Sequence, residues 1–82
     1  MFFRIITEIR LMDNYPTRIR KHSVRLAGHQ TSVSIEDAFW DQLILIAREQ
    51  DLSINSLITQ LDADRTGNLS SAIRIYVLKK VT

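Results

Sequence analysis

The side chains of this sequence that could do chemistry are few, and they are not grouped as catalysis would need. The histidines are His22 and His29, seven positions apart, with no cluster of carboxylates beside them. No cysteine is present, and no spacing matches a zinc, calcium or phosphate-loop motif. Serine, histidine and aspartate residues are present, but any small protein contains all three, so their presence does not indicate a catalytic triad. The sequence therefore predicts no enzyme, no metal site and no cofactor, and the lack of cysteine fits a reducing cytoplasm.

Basic side chains are concentrated in the first thirty residues. This part holds six Lys or Arg and two Asp or Glu, a net charge of +4, whereas residues 31–82 hold five against seven, a net charge of −2. A basic arm beside a structured domain is typical of proteins with an anionic partner, most often nucleic acid, and a solvated basic tail is the alternative. We assign residues 1–21 to a basic arm, partly disordered or a short docking segment, and residues 22–82 to the folded domain.

The first twelve residues, MFFRIITEIRLM, are apolar but interrupted by charge. Arg4, Glu8 and Arg10 break the run, so it does not form a secretory signal, and it is too short to span a bilayer. Its apolar side chains recur at helical spacing, which permits a short docking helix or a helix lying on a membrane surface. Met12 is an alternative start of the protein. We expect no membrane association.

An alternation of polar and apolar side chains after residue 29 predicts one short β-strand. Val33 and Ile35 would share its apolar face, whereas Gln30, Ser32 and Ser34 would form its polar face. A two-stranded ribbon of such strands fits the major groove of DNA, where glutamine can pair with adenine and serine with several base edges. The polar face is therefore the candidate for base contacts.

A glycine separates this strand from an earlier alternation. Val24 and Leu26 occupy even positions, whereas the apolar residues of the strand occupy odd ones, so one flat strand cannot place all of them on one face. Gly28 tolerates the backbone of a bulge or a turn, either of which resets the register. The sequence therefore predicts a bulge or a turn at this glycine.

Apolar periodicity predicts three helices, over residues 36–50, 54–64 and 69–81. Ser34 and Asp37 are spaced as a capping box for the first helix. Ser53 and Asn68 are suitable N-caps for the second and third, and Gly67 suits the left-handed residue that ends the second. The fold class is therefore mainly α with one short strand.

The first helix is apolar on nearly every side along its segment LILIA, more than an 82-residue monomer readily covers. A single strand also needs a second strand for its backbone groups. The economical solution is a two-fold dimer in which the same strand of each chain pairs antiparallel. The predicted dimer core consists of Val33, Ile35, Phe39, Trp40, Leu43, Ile46, Leu57 and Ile58.

The strand TSVSI, the helix EDAFWDQLILIAREQ and the capped helix LSINSLITQL, in this order, resemble the ribbon-helix-helix family of DNA-binding proteins. The resemblance covers about residues 29–64, and the run from SVRLAGHQ to AIRIYVL is similar to a bacterial subfamily of small stand-alone members. It implies an intertwined dimer with an intersubunit antiparallel β-ribbon, here with an extra C-terminal helix. It also implies repression of transcription through sequence-specific binding of double-stranded DNA.

This resemblance assigns DNA contacts to two parts of the chain. Gln30, Ser32 and Ser34 would meet base edges. The backbone N–H groups at the start of the second helix would hold a phosphate, around Ser53, Ile54, Asn55 and Ser56. The positive charge upstream of the strand supplies the other candidates for phosphate contacts, which are Arg18, Arg20, Lys21, Arg25 and His29.

Two other functions remain open on the sequence. One is a protein-interaction module on the same dimeric fold, antitoxin-like, without strong DNA binding of its own. Such a module would hold another protein through Tyr76, Lys79 and the third helix. The other is a small enzyme, for which the sequence offers no convergent set of side chains.

Overall fold

The computed structural model describes residues 17–82, which begin with a β-hairpin. Strands β1 (Ile19–Leu26) and β2 (His29–Glu36) pair antiparallel and are joined by two residues, Ala27 and Gly28. Both turn residues have positive φ, +52° and +80°. This is the geometry of a type I′ turn, whose twist matches that of the strands it joins. The predicted reset at Gly28 is therefore confirmed as a turn.

The prediction of one strand in each chain is wrong. β1 pairs along its whole length with β2, with His22 opposite Val33 and Arg20 opposite Ile35. The polar side chains of Arg20 and His22 stand at core-facing positions of β1, so the apolar alternation that marks β2 is broken there. β2 consequently has a partner strand within its own chain.

β1 begins at Ile19, so the domain boundary predicted between residues 21 and 22 falls inside this strand. The predicted N-terminal docking or membrane-surface helix and the alternative start at Met12 lie outside the described residues. None of the helices within residues 17–82 is both long and apolar enough to cross a membrane.

Three helices follow the hairpin within the described residues: α1 (Asp37–Glu49), α2 (Ile54–Asp64) and α3 (Leu69–Val81). Their bounds confirm the predicted ones to within one residue. Both predicted N-caps are also confirmed, because the Ser53 hydroxyl accepts the Ser56 N–H at 3.0 Å and the Asn68 side chain accepts the Ser71 N–H at 2.8 Å. Each bond satisfies one of the donors that a helix start leaves free.

Other predicted helix ends differ from the structure. The residue before α1 is Glu36, which makes no side-chain cap, and Ser34 belongs to β2, so the predicted capping box is wrong. Gly67 does not adopt a left-handed backbone, because α2 ends in an extended residue, Arg65. The left-handed residue lies instead after α1, where Asp51 has φ +59°.

One core joins the hairpin to all three helices. The buried apolar residues are Val24, Val33, Ile35, Leu43, Ile46, Ala47, Leu57, Ile58, Ile73 and Val77. Six of the eight residues predicted for a dimer core are therefore buried within one chain, and Phe39 and Trp40 pack half-buried against them. The third helix covers α1 through Ile73 and Val77, although Leu45 of α1 stays exposed. The burial of the residues predicted for a dimer core therefore does not depend on a second chain.

Candidate nucleic-acid interface

The strand register places two rows of side chains together on the face of the hairpin that points away from the core. Residues directly opposite each other in an antiparallel pair share a face. The opposite face carries Val24, Val33 and Ile35 into the core. The exposed pairs are Lys21 with Ser34, Ser23 with Ser32, and Arg25 with Gln30. We call these six residues the outer hairpin face.

This pairing supplies positive charge that β2 lacks. Lys21 and Arg25 lie one strand away from the polar residues of β2, a spacing of about 4.8 Å in any sheet. The sequence places these basic residues upstream of the strand and gives no sign that they share its polar face. Only the fold of the hairpin brings the two sets side by side.

Arg18 and Arg20, predicted as phosphate contacts, both lie against one carboxylate. The Nε of Arg18 lies 3.0 Å from Oδ2 of Asp37, and the Nε of Arg20 lies 3.3 Å from Oδ1 of the same residue. The N–H of Asp37 also donates to the carbonyl of Arg18 at 2.8 Å. Burial alone raises the pKa of Asp37, but hydrogen bonds and charge from the two arginines outweigh it and lower that pKa.

The start of α2 lies beside the outer edge of β1. The N–H of Arg25 donates to the side-chain oxygen of Asn55 at 3.3 Å. The N–H groups of Ile54 and Asn55 have no acceptor inside the helix, since they belong to its first turn. Free donors and the positive end of the helix dipole make such a position suitable for an anion. Ser53 and Ser56 are engaged with each other in the cap.

The two histidines are not on the outer hairpin face. His29 is exposed at the turn end, opposite Leu26. The ring of His22 stacks on Trp40 with 3.8 Å between centroids and 9° between planes. Its Nε2 is buried and has no partner among the described residues. Burial lowers the pKa of His22, an effect that Asp37 opposes and Arg20 reinforces.

The described residues cover the outer edge of β2 only in part. Hydrogen-bonded pairs alternate along an antiparallel ladder. The bond from the Asp37 N–H to the Arg18 carbonyl shows that these two residues form a hydrogen-bonded pair. Counting along the ladder from this pair, Gln30, Ser32 and Ser34 belong to the pairs that are not hydrogen-bonded, so their backbone N–H and C=O groups point away from β1. The Ser70 hydroxyl of α3 donates to the Ser34 carbonyl at 2.8 Å.

The residues predicted to hold a protein partner lie on α3. The Tyr76 hydroxyl accepts a hydrogen bond from the Gln50 side chain at 2.8 Å, and the Lys80 ammonium lies 5.6 Å from the Tyr76 ring centre. Lys79 is exposed beside an open groove of about 490 Å³. Tyr76 is thus engaged within its own chain. No group of three His, Cys, Asp or Glu side chains within residues 17–82 is arranged to hold a metal ion.

Comparison with known proteins agrees with this architecture. A family model described as a ribbon-helix-helix domain matches residues 19–81. A solved structure, that of an uncharacterized protein from Bordetella pertussis Tohama I, is similar with a TM-score of 0.73 and 28% identity. The similarity covers 92% of this chain and 66% of that chain, just under two thirds of its length. No curated protein matches the sequence.

Proposed function

The chain belongs to the ribbon-helix-helix family, and we propose that it is a DNA-binding transcriptional repressor whose outer hairpin face meets the major groove. The observation that carries this proposal is the register of the hairpin, which aligns the three polar residues of β2 with Lys21, Ser23 and Arg25 of β1 on an exposed face. Base edges need hydrogen-bonding side chains, and phosphates need positive charge. The outer hairpin face offers both, in separate rows.

The proposed working form is a two-fold dimer joined along the outer edge of β2. An unpaired strand edge is a template for a further strand. The backbone groups of Gln30, Ser32 and Ser34 point toward that edge. Antiparallel pairing of β2 with β2 of a second copy would satisfy these groups and place two copies of the polar row side by side.

The width of the groove then assigns the two rows to different parts of DNA. Strands lie about 4.8 Å apart, so the outer strands of a four-stranded sheet are about 14 Å apart. The major groove is about 12 Å wide, so it admits two strands between its walls. The central β2 pair would therefore face the bases through Gln30, Ser32 and Ser34. β1 of each copy would lie at the phosphate rim with Lys21 and Arg25.

The start of α2 completes the proposed phosphate site. The bond between the Arg25 N–H and Asn55 holds the first turn of α2 beside β1. The free N–H groups of Ile54 and Asn55 would hold a phosphate at the same rim that Arg25 reaches. Such contacts fix the orientation of a protein on the duplex, while the bases provide sequence recognition. A regulator of this kind acts where the chromosomal DNA is, in the cytoplasm of a bacterium.

The test starts from the purified full chain and fragments of the host genome. Fragments retained by the protein are sequenced, and their affinity is measured by fluorescence anisotropy over a range of salt concentrations. The mass of the protein in solution is measured in parallel. We expect a shared sequence element among the retained fragments and a mass of two chains. A folded protein that binds no duplex even at low salt contradicts the proposed function.

A further inference from the structure

A buried carboxylate holds two arginines at the open end of the hairpin. Asp37, the first residue of α1, is 4% exposed, whereas the side chains of Arg18 and Arg20 are 48% and 56% exposed. Both guanidinium groups contact the same carboxylate, at 3.0 and 3.3 Å. A carboxylate shared by two guanidinium groups accepts charge-assisted hydrogen bonds, which are stronger than neutral ones.

Strand geometry places Arg18, Arg20 and Asp37 on the side of the hairpin away from the outer hairpin face. Even-numbered residues of β1 face the helices, as Val24 and the stacked His22 show. Arg20 shares their parity and lies opposite the buried Ile35. Arg18 precedes the strand with the same parity, and its backbone is bonded to Asp37. Lys21 and Arg25 have the other parity and no ion pair within the described residues.

We propose that Asp37 is a specificity-determining residue, because it withholds Arg18 and Arg20 from DNA phosphates and so limits binding to unrelated sequences. This inference rests on the proposed function. Each lysine or arginine on a phosphate adds affinity for any duplex, regardless of its sequence. A regulator needs a high ratio of specific to non-specific affinity, since non-specific sites vastly outnumber its operator. Asp37 raises that ratio by holding two arginines on the other side of the ribbon.

The main test is the salt dependence of binding to a duplex of random sequence, compared between the wild type and Asp37→Asn. Asparagine has nearly the same shape but cannot hold two guanidinium groups by charge. Each released arginine that reaches a phosphate steepens the slope of log affinity against log salt by about 0.9, so two add about 1.8. We expect tighter non-specific binding at low salt, with an extra loss of about tenfold between 50 and 200 mM salt. Affinity for a selected genomic fragment should change less.

Glu36→Gln is the matched control. Glu36 is the neighbouring carboxylate, and it pairs with Arg74 of α3 at 2.8 Å. Its replacement removes the same charge but releases neither Arg18 nor Arg20. We expect the slope of this variant to equal that of the wild type.

A second variant keeps the test decisive if Asp37→Asn does not fold. The double variant Arg18→Gln, Arg20→Gln retains hydrogen-bond donors toward Asp37 and removes both positive charges. If the arginines are withheld, the salt slope of this variant equals that of the wild type. A slope shallower by about 1.8 would show that both already contact phosphates, and it would overturn the inference. A folded Asp37→Asn protein with the wild-type slope overturns it as well.

The proposed function and this inference can fail separately. If the wild type binds no duplex, the proposed function fails. If the wild type binds a selected fragment and the variants show either contrary result, the function stands and the role of Asp37 is rejected.

Discussion

The backbone N–H of Arg25 donates a hydrogen bond to the side chain of Asn55, thirty residues later in the chain, at 3.3 Å. This bond joins the exposed edge of β1 to the first turn of α2. It therefore fixes the distance between the basic row of the outer hairpin face and the free N–H groups of the helix. On the proposed function, both belong to one phosphate site.

Asn55→Ala should weaken binding to every duplex, because it frees the first turn of α2 from β1. We expect affinity to fall several-fold without a change in sequence preference. The free energy of unfolding should fall by about 1 kcal/mol, the usual value of one hydrogen bond. Anisotropy and urea titration measure the two effects. Gln60→Ala, an exposed position of the same helix, is the control and should change neither.

Gln30→Ala should change which sequences are bound. A glutamine pairs with an adenine through two hydrogen bonds, and a good pair of this kind contributes about 1–3 kcal/mol of discrimination. We expect selected fragments to lose their preference at one base pair of each half-site, while the salt slope stays the same. Thr31→Ala, the next residue on the other face of β2, should leave the preference intact. The same preference in both variants would exclude base contact by Gln30.

Lys21→Ala and Arg25→Ala should weaken binding to selected and random duplexes alike. Each removes a positive charge from the outer hairpin face, so each should make the salt slope shallower by about 0.9 for every phosphate contact that is lost. Lys79→Ala removes an equal charge from an exposed position of α3 and should leave the slope unchanged. A change of sequence preference in Arg25→Ala would instead assign this arginine to a base.

Ala27→Asn should stabilise the hairpin. Ala27 has φ +52° at the first position of the turn, a backbone region that disfavours alanine. Asn-Gly is a favoured pair for a type I′ turn, so the free energy of unfolding should rise by about 1 kcal/mol. Ala27→Val should lower it, because a β-branched side chain fits this region worse still. Urea denaturation of the three proteins tests whether the free energy of unfolding decreases from Ala27→Asn to the wild type to Ala27→Val.

The free energy of unfolding should fall as the solution becomes mildly acidic, because of His22. Burial holds the pKa of His22 in the folded state below its ordinary value of 6.5. The folded state therefore binds fewer protons than the unfolded state. The stabilising contribution is complete above pH 6.5 and is lost as the pH falls from there through the lowered pKa. Asp37 and Arg20 face the ring with opposite effects on this pKa, and burial dominates.

Trp40 provides the measurement for this prediction, since it is the sole tryptophan of the sequence and its ring stacks on His22. Urea titrations followed by its fluorescence at several pH values give the slope of stability against pH. His22→Phe keeps an aromatic ring against Trp40 and should flatten that slope at pH values below 6.5. An unchanged slope in His22→Phe would show that His22 is not the cause of the pH dependence of stability.

The helical part of this protein could be predicted from local sequence patterns. Helix bounds and N-caps depend on side chains three or four positions apart, so Ser53 and Asn68 could be assigned to their caps without a structure. The polar row Gln30, Ser32 and Ser34 follows in the same way from the period of two in a strand. The family resemblance rests on these local patterns too, and the match over residues 19–81 confirms it.

The role of β1, in contrast, depends on contacts between residues that are far apart in the chain. Arg20 and His22 break its apolar alternation. Their positions are explained by the contacts of Arg20 with Asp37 and of His22 with Trp40, seventeen or more residues away. No local pattern encodes a pairing across that distance, because it depends on how the turn at Gly28 and the start of α1 bring the elements together. The same pairing puts Lys21 and Arg25 beside the polar row and turns Arg18 and Arg20 away from it. The sequence holds six basic residues in its first thirty, and the fold selects which of those in β1 face outward.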